Sequence, residues 1–227
     1  MLFFGKGNKK LHGRVLTFSL PAGYTCPGAN ECLAKADPLT GKVKDGKNLS
    51  FRCFSASQEA AYTSVRISRW RNFNLLKEAK HKDELIYESL KTYKNYDYVR
   101  IHVSGDFFSE EYFVSWLNVA KAIPDKIFYF YTKSINIWIN YPEIGNGHKP
   151  GRVRNFIPTA SCGGRFDNLI SDYGLRFAKV IFSEDEKVGD IDYDDSHAQR
   201  FGPDFSLMIH GTQPKKSLTK LSLGTII

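Results

Sequence analysis

Cysteine is scarce in this chain, four in 227 residues. That is too few for the disulfide scaffold of a small secreted domain, and a chain this long can bury a core without one. Long apolar runs are missing: nothing approaches the roughly 18 residues of a membrane helix. A secretory start is missing too, because "MLFFGKGNKKLHGR" places its apolar residues ahead of its charges, the reverse of a signal peptide. Internal repeats and low-complexity segments are also absent, which excludes solenoids and disordered linkers. These absences predict no membrane association and a reducing cytoplasm.

Hydrophobic residues make up 42% and aromatics 14%, the composition of a globular protein. We read one domain over 1–227, with an N-terminal cysteine-loop region (about 1–57) packed on a core of βα units (about 58–227). The formal charge is +8, carried largely by "GKGNKKLHGR", "GKVKDGK" and "SVRISRWRNF". The last interleaves Arg66, Arg69 and Arg71 with Trp70 and Phe73, a mixture suited to phosphates and stacked bases. A solvated helix face anchored by Trp70 is the favoured reading of that stretch, so nucleic acid ranks second as a partner.

"RVLTFSLP" reads as a first strand, stopped by Pro21 and Gly23. "DPLTGKVKDGKNLS" is a turn-rich excursion. Ser55 and Gln58 have capping-box spacing, and helix is expected from there to about Lys91. "YVRIHVS" is a strand with Val99, Ile101 and Val103 on one face and Arg100, His102 and Ser104 on the other. Ser109 caps a helix with Phe113, Trp116, Leu117 and Ala120 at i, i+3, i+4, i+7. "KIFYFYTK", "RVRNFIPT", "RFAKVIFS" and "FSLMIH" complete the strands, with short helices at "SINIWINY" and "RFDNLISDY" between them. This alternation predicts an α/β fold with a mostly parallel sheet, as a partial or distorted βα barrel.

In such folds functional groups collect on loops leaving the carboxyl ends of the strands. Those ends deliver Ser104 and Asp106, then Lys133, then Ser161 and Cys162, then His210. Together with His102 these form the candidate site: His102, Ser104, Asp106, Lys133 and His210. "DYDDSHA" is a second dense cluster, in which Asp194, Asp195 and His197 could orient one another; a capping turn at Asp195 and Ser196 is the competing reading.

Three of the cysteines fall close together, in "TCPGANEC" (Cys26, Cys32) and "FRCFSAS" (Cys53). Grouped thiols in a reducing compartment serve metal binding or catalysis more often than disulfides; buried free thiols acting as small hydrophobes are the bland alternative. Gaps of five and then twenty residues fit zinc poorly, and an iron–sulfur cluster accepts wider spacings. The expectation is a [4Fe–4S] cluster on Cys26, Cys32 and Cys53, with Cys162 as the weaker fourth ligand or one corner left open.

The motifs "LPAGYTCPGANEC", "FRCFSAS", "RIHVSGDFFSEEYFVSW", "FYTKS", "DDSHA" and "HGTQP" resemble a tailed-phage protein family, gene product 88, from about Leu20 to Pro214. The resemblance implies a phage origin and expression in the cytoplasm of a bacterial host; it brings no activity with it. A more distant likeness is to radical S-adenosylmethionine enzymes, which join a partial βα barrel to a three-cysteine cluster and contact the cofactor where "SGD" (Ser104 to Asp106) stands here. The tight CxxxCxxC spacing and the GGE motif of those enzymes are absent. The leading expectation is therefore an iron–sulfur protein with a redox or electron-transfer role and an unnamed redox partner. A radical-type enzyme using S-adenosylmethionine, and a basic nucleic-acid-binding protein with a structural metal, are the alternatives.

Overall fold

Two neighbouring strands decide the architecture. In "KIFYFYTK" the phenylalanines and tyrosines alternate, and β6 (Ile127–Thr132) sends Phe128 and Phe130 to one face of a sheet and Tyr129 and Tyr131 to the other. β5 (Tyr98–Ser104) lies beside it in parallel, Tyr98 opposite Ile127 through Ile101 opposite Phe130. The computed structural model describes residues 1–7 and 11–214; Asn8, Lys9 and Lys10 of the basic run, and 215–227, lie outside the described residues.

Eight strands form this sheet. With β1 (Gly5–Lys6), β2 (Val15–Ser19), β7 (Phe156–Ser161), β8 (Phe177–Ile181), β9 (Asp190–Ile191) and β10 (Phe205–Met208), their order is β1-β2-β5-β6-β7-β8-β10-β9. Only β1 is antiparallel to its neighbour. The expected mostly parallel α/β fold is therefore present. The succession β2, β5, β6, β7, β8 is the order of a βα barrel, yet β1 and β9 remain separate edges, so the sheet is open among the described residues. A second sheet, the hairpin of β3 (Ala34–Ala36) and β4 (Val43–Asp45), occupies the stretch the sequence presented as turns.

Crossovers that all step in one direction, each right-handed, place their helices on one face. That face carries the main core: Leu16, Phe18, Val99, Ile101, Phe128, Phe130 and Phe156 of the sheet pack with Leu76, Ile86, Leu90, Trp116 and Leu117 of the helices. α4 (Glu110–Ala122) begins as expected at Ser109, whose hydroxyl accepts from the Tyr112 amide, a cap worth about 1 kcal/mol. The long helix expected from Ser55 to Lys91 is three helices: α1 (Phe54–Ala61), α2 (Thr63–Glu78) and α3 (Lys82–Lys91). The breaks fall at Tyr62 and Ala79, both with extended backbone. Ser55 forms no capping box; its hydroxyl donates to the Val103 carbonyl. α5 (Ile135–Trp138) and α6 (Asn168–Asp172) are short.

Among the described residues, no helix packs on the opposite face. Val15, Tyr129, Ile157, Ala178 and Phe205 are covered instead by Ala198 and Phe201. A buried polar network fixes this cover. Arg100 donates to Asp195 at 2.6 Å, and the Tyr129 and Tyr131 hydroxyls reach the same carboxylate at 2.9 and 3.3 Å. Asp194, Asp195 and His197 thus do not orient one another: Asp194 accepts from the Ser196 amide, and His197 lies 3.6 Å from both Asp190 and Asp192.

Candidate functional site

The cysteine loop lies across the carboxyl ends of β6 and β7. The Gly28 carbonyl accepts from the Arg165 amide at 2.9 Å, Glu31 N–H donates to the Gly163 carbonyl at 3.0 Å, and Ala29 bridges Gly164. Gly28 permits this approach, since a Cβ there would stand 2.0 Å from the Lys133 carbonyl. On the other side, the Ala22 amide donates to Glu59 and the Gly23 amide to the Cys26 sulfur at 3.3 Å. Turn-forming Pro27, Gly28 and Asn30 thus bring Cys26 and Cys32 over the sheet.

Asp106 ties the neighbouring strand ends together. Its carboxyl accepts from the Phe107 amide at 2.8 Å, the Thr132 hydroxyl at 2.7 Å and the Lys133 amide at 2.7 Å. Gly105 turns the chain into place with φ at +82°, a region glycine adopts freely. Lys133 spends its ammonium on the Ser161 carbonyl and hydroxyl and on the Cys162 carbonyl. Burial raises the Asp106 pKa despite its three donors and Lys133.

All four cysteines are free thiols. Burial pushes the Cys26 thiol well up, and Asp106, Cys53 and Cys32 push in the same direction. Burial takes Cys32 to about 11, with Lys133 opposing and Cys53 and Asp106 adding. Cys162 also rises to about 11, through burial and Asp167, with Lys133 opposing. The raised thiols of Cys26, Cys32 and Cys162 are the reverse of an activated nucleophile. Cys26, Cys32, Cys53, Asp106 and Lys133 therefore share one electrostatic neighbourhood, and Lys133 brings Cys162 to its border.

The expected iron–sulfur protein with a redox role is not what this arrangement supports. Among the described residues, no three His, Cys, Asp or Glu side chains are grouped so as to hold a metal ion. The expectation came from cysteine spacing, which fixes how far ligands lie along the chain and not where the thiols point. The metal that the two alternatives also assumed, in a radical-type enzyme or as a structural ion in a nucleic-acid-binding protein, falls with it. Of the three arginines that suggested phosphate contact, Arg71 is exposed and the other two are committed within the fold. Arg66 donates to the carbonyls of Glu59, Pro38 and Leu39, and Arg69 to Glu59 and to the Ser55 carbonyl.

Three other expected residues separate. His102 lies in the helix-side core, against Phe18, Phe107 and Tyr112, and not on the face of Arg100. A register shift in the β2–β5 pairing, with His102 at φ +66°, turns it over. Ser104 donates to Glu59 at 3.3 Å, and His210 packs on Phe54, ring centroids 4.3 Å apart. Glu59 was not singled out from the sequence. It is fully buried, its Oε1 accepts from Ala22, Arg69 and Ser104, and its Oε2 is buried without a partner. Glu59, Arg66 and Arg69 sit seven and three residues apart, a helical stripe of charge that signals an inward-facing polar face.

Among the described residues the fold is that of an open-sheet α/β protein in which thiols and carboxyl groups gather at the carboxyl ends of the central strands. The chain belongs to the gene product 88 family, whose model matches residues 2–224. It is also 28% identical over 139 residues to the "Gene 88 protein" of Mycobacterium phage L5, covering 56% of this chain and 52% of that one. The match thus spans about half the length of that relative. No solved structure matches. These matches carry the phage-family resemblance and nothing of the likeness to radical S-adenosylmethionine enzymes. Among the described residues no helix is long and apolar enough to cross a membrane.

Proposed function

We propose that the protein is a phage protein of the host cytoplasm that binds a small polar molecule at the carboxyl edge of its sheet. The thiols of Cys26, Cys32 and Cys53 form the weakly polar wall of that site, and Asp106 with Lys133 sets its geometry. One observation carries the reading: two carboxyl groups, Glu59 and Asp106, are buried under the cysteine loop with raised pKa values, and one Glu59 oxygen has no partner. Burying acids this way costs free energy that apolar residues would avoid, and such costs concentrate at functional sites. A ligand N–H or O–H directed at the carboxyl groups would offset part of that cost.

The test is a screen of polar fragments by ligand-observed NMR, followed by alkylation of the protein with N-ethylmaleimide and peptide mass spectrometry. Fragments that bind should slow labelling of Cys26, Cys32 and Cys53 together. Binders that leave all three rates unchanged would place the ligand site elsewhere and end this reading.

A further inference from the structure

Among the described residues, one face of α2 stays exposed at Ile67, Arg71, Asn74 and Glu78, with Tyr24 packed on Trp70. Ile67, Trp70, Arg71, Asn74 and Glu78, spaced along one side of the helix, line with Pro38 a groove of about 500 Å³. Large apolar side chains stand in the open here: Ile67 of the groove is 61% exposed, and Leu39, next to Pro38, is 87% exposed. The leucine does not stand on a loose tip. Asp37 accepts from the Leu39 and Thr40 amides and the Thr40 hydroxyl, while buried Arg66 clamps the Pro38 and Leu39 carbonyls. A rigid, exposed apolar patch of this kind marks an interaction surface.

The charges on the stripe identify the occupant. Arg71 and Glu78 are both exposed, line the groove, and make no ion pair with each other or with any described residue. They have opposite sign and lie two helical turns apart on one face. We propose that this face docks a second copy of the chain, the two α2 helices running antiparallel about a twofold axis near Asn74 and Leu75. That axis sets each Arg71 against the other copy's Glu78, so the patch is complementary to itself, as an isologous interface requires. A foreign partner would need a matching stripe of its own; the second copy already has it.

Light scattering coupled to size-exclusion chromatography tests this with the full chain. The wild-type protein should approach twice the 25.8 kDa of one chain as its concentration rises. Arg71→Glu sets like charges against each other twice across the axis and should weaken association about tenfold or more. Glu78→Arg should do the same. The double variant Arg71→Glu/Glu78→Arg restores both pairs and should dimerise like the wild type. Both positions are exposed, and unchanged circular dichroism verifies the fold. A wild-type protein monomeric at every concentration overturns the proposal. So do single variants that still dimerise, and so does a double variant that stays monomeric.

Discussion

His102 is the residue under the greatest constraint. It occupies a left-handed backbone position inside an aromatic core, its Nε2 lies 3.0 Å from the Tyr112 hydroxyl, and its Nδ1 is buried without a partner. Burial pushes its pKa down from 6.5 to about 3. The unfolded chain takes up a proton near 6.5 that the folded chain refuses until about 3. The stability contributed by neutral His102 is therefore present above that upper value and is lost as the pH falls toward the lower one. The ceiling on the loss is on the order of 5 kcal/mol. His102→Asn tolerates the left-handed backbone and removes the titration. Urea midpoints of the variant should then fall less steeply than wild type across that window; parallel declines would mean that His102 is not held neutral. The thiols give a second residue-scale prediction. With Cys32 raised to about 11, its alkylation rate should climb about tenfold per pH unit past the usual thiol range near 8.5. A plateau near the usual value would contradict the buried, protonated thiol. Neither environment was legible beforehand. Strict alternation assigned His102 to the Arg100 face because a register shift leaves no mark in a hydrophobic pattern. Spacing showed that the cysteines would gather but not how their thiols would be buried.

At the scale of elements, the segment Asp192–Phe201 does the work a second layer of helices would otherwise do, and Arg176 holds it down. Its side chain is fully buried and donates to the carbonyls of Pro158, His197 and Arg200 and to the Thr159 hydroxyl. Burial lowers its pKa to about 10, with Tyr131, Asp204 and Asp192 opposing. Arg176→Met leaves those acceptors without donors and should cost about 3–5 kcal/mol in urea unfolding. Hydrogen exchange should accelerate in Asp192–Phe201 before it does so in β6. Arg176→Lys should recover little, because one ammonium cannot reproduce the planar fork. Full recovery by lysine would mean that only the charge matters here. The strands themselves were readable: β2, β5, β6, β7, β8 and β10 fall where alternation and strand-ending residues placed them. The hairpin β3–β4 was hidden because its strands, "AKA" and "VKD", are three residues each, too short for alternation to stand out. The split between α1, α2 and α3 was hidden as well, because neither Tyr62 nor Ala79 is a helix breaker by type.

Across the whole molecule, the cysteine-loop region and the βα core read from the sequence are stitched together at every level. β2 comes from the first region yet sits inside the sheet between β1 and β5. The Leu2 amide donates to Ser89, the Phe3 amide to Asn72, and Phe4 packs against Phe18, Tyr93 and Trp116. The Arg52 amide donates to Gln213 near the far end of the described chain, and the Ala22 amide to Glu59. Removing residues 1–57 would expose the β5 edge and the aromatic core beneath Phe4. It would also leave Glu59 and Arg69 paired below an empty surface. We therefore expect one cooperative unfolding transition for the full chain. Far-ultraviolet circular dichroism, which follows all helices and strands, should coincide in urea with the fluorescence of Trp70, Trp116 and Trp138. A chain of residues 58–227 alone should lack a cooperative transition and bind a hydrophobic dye, the behaviour of a compact but unpacked state. Two separated transitions, or a shortened chain that unfolds cooperatively, would show that the cysteine-loop region is an accessory to a self-sufficient core and not one of its layers.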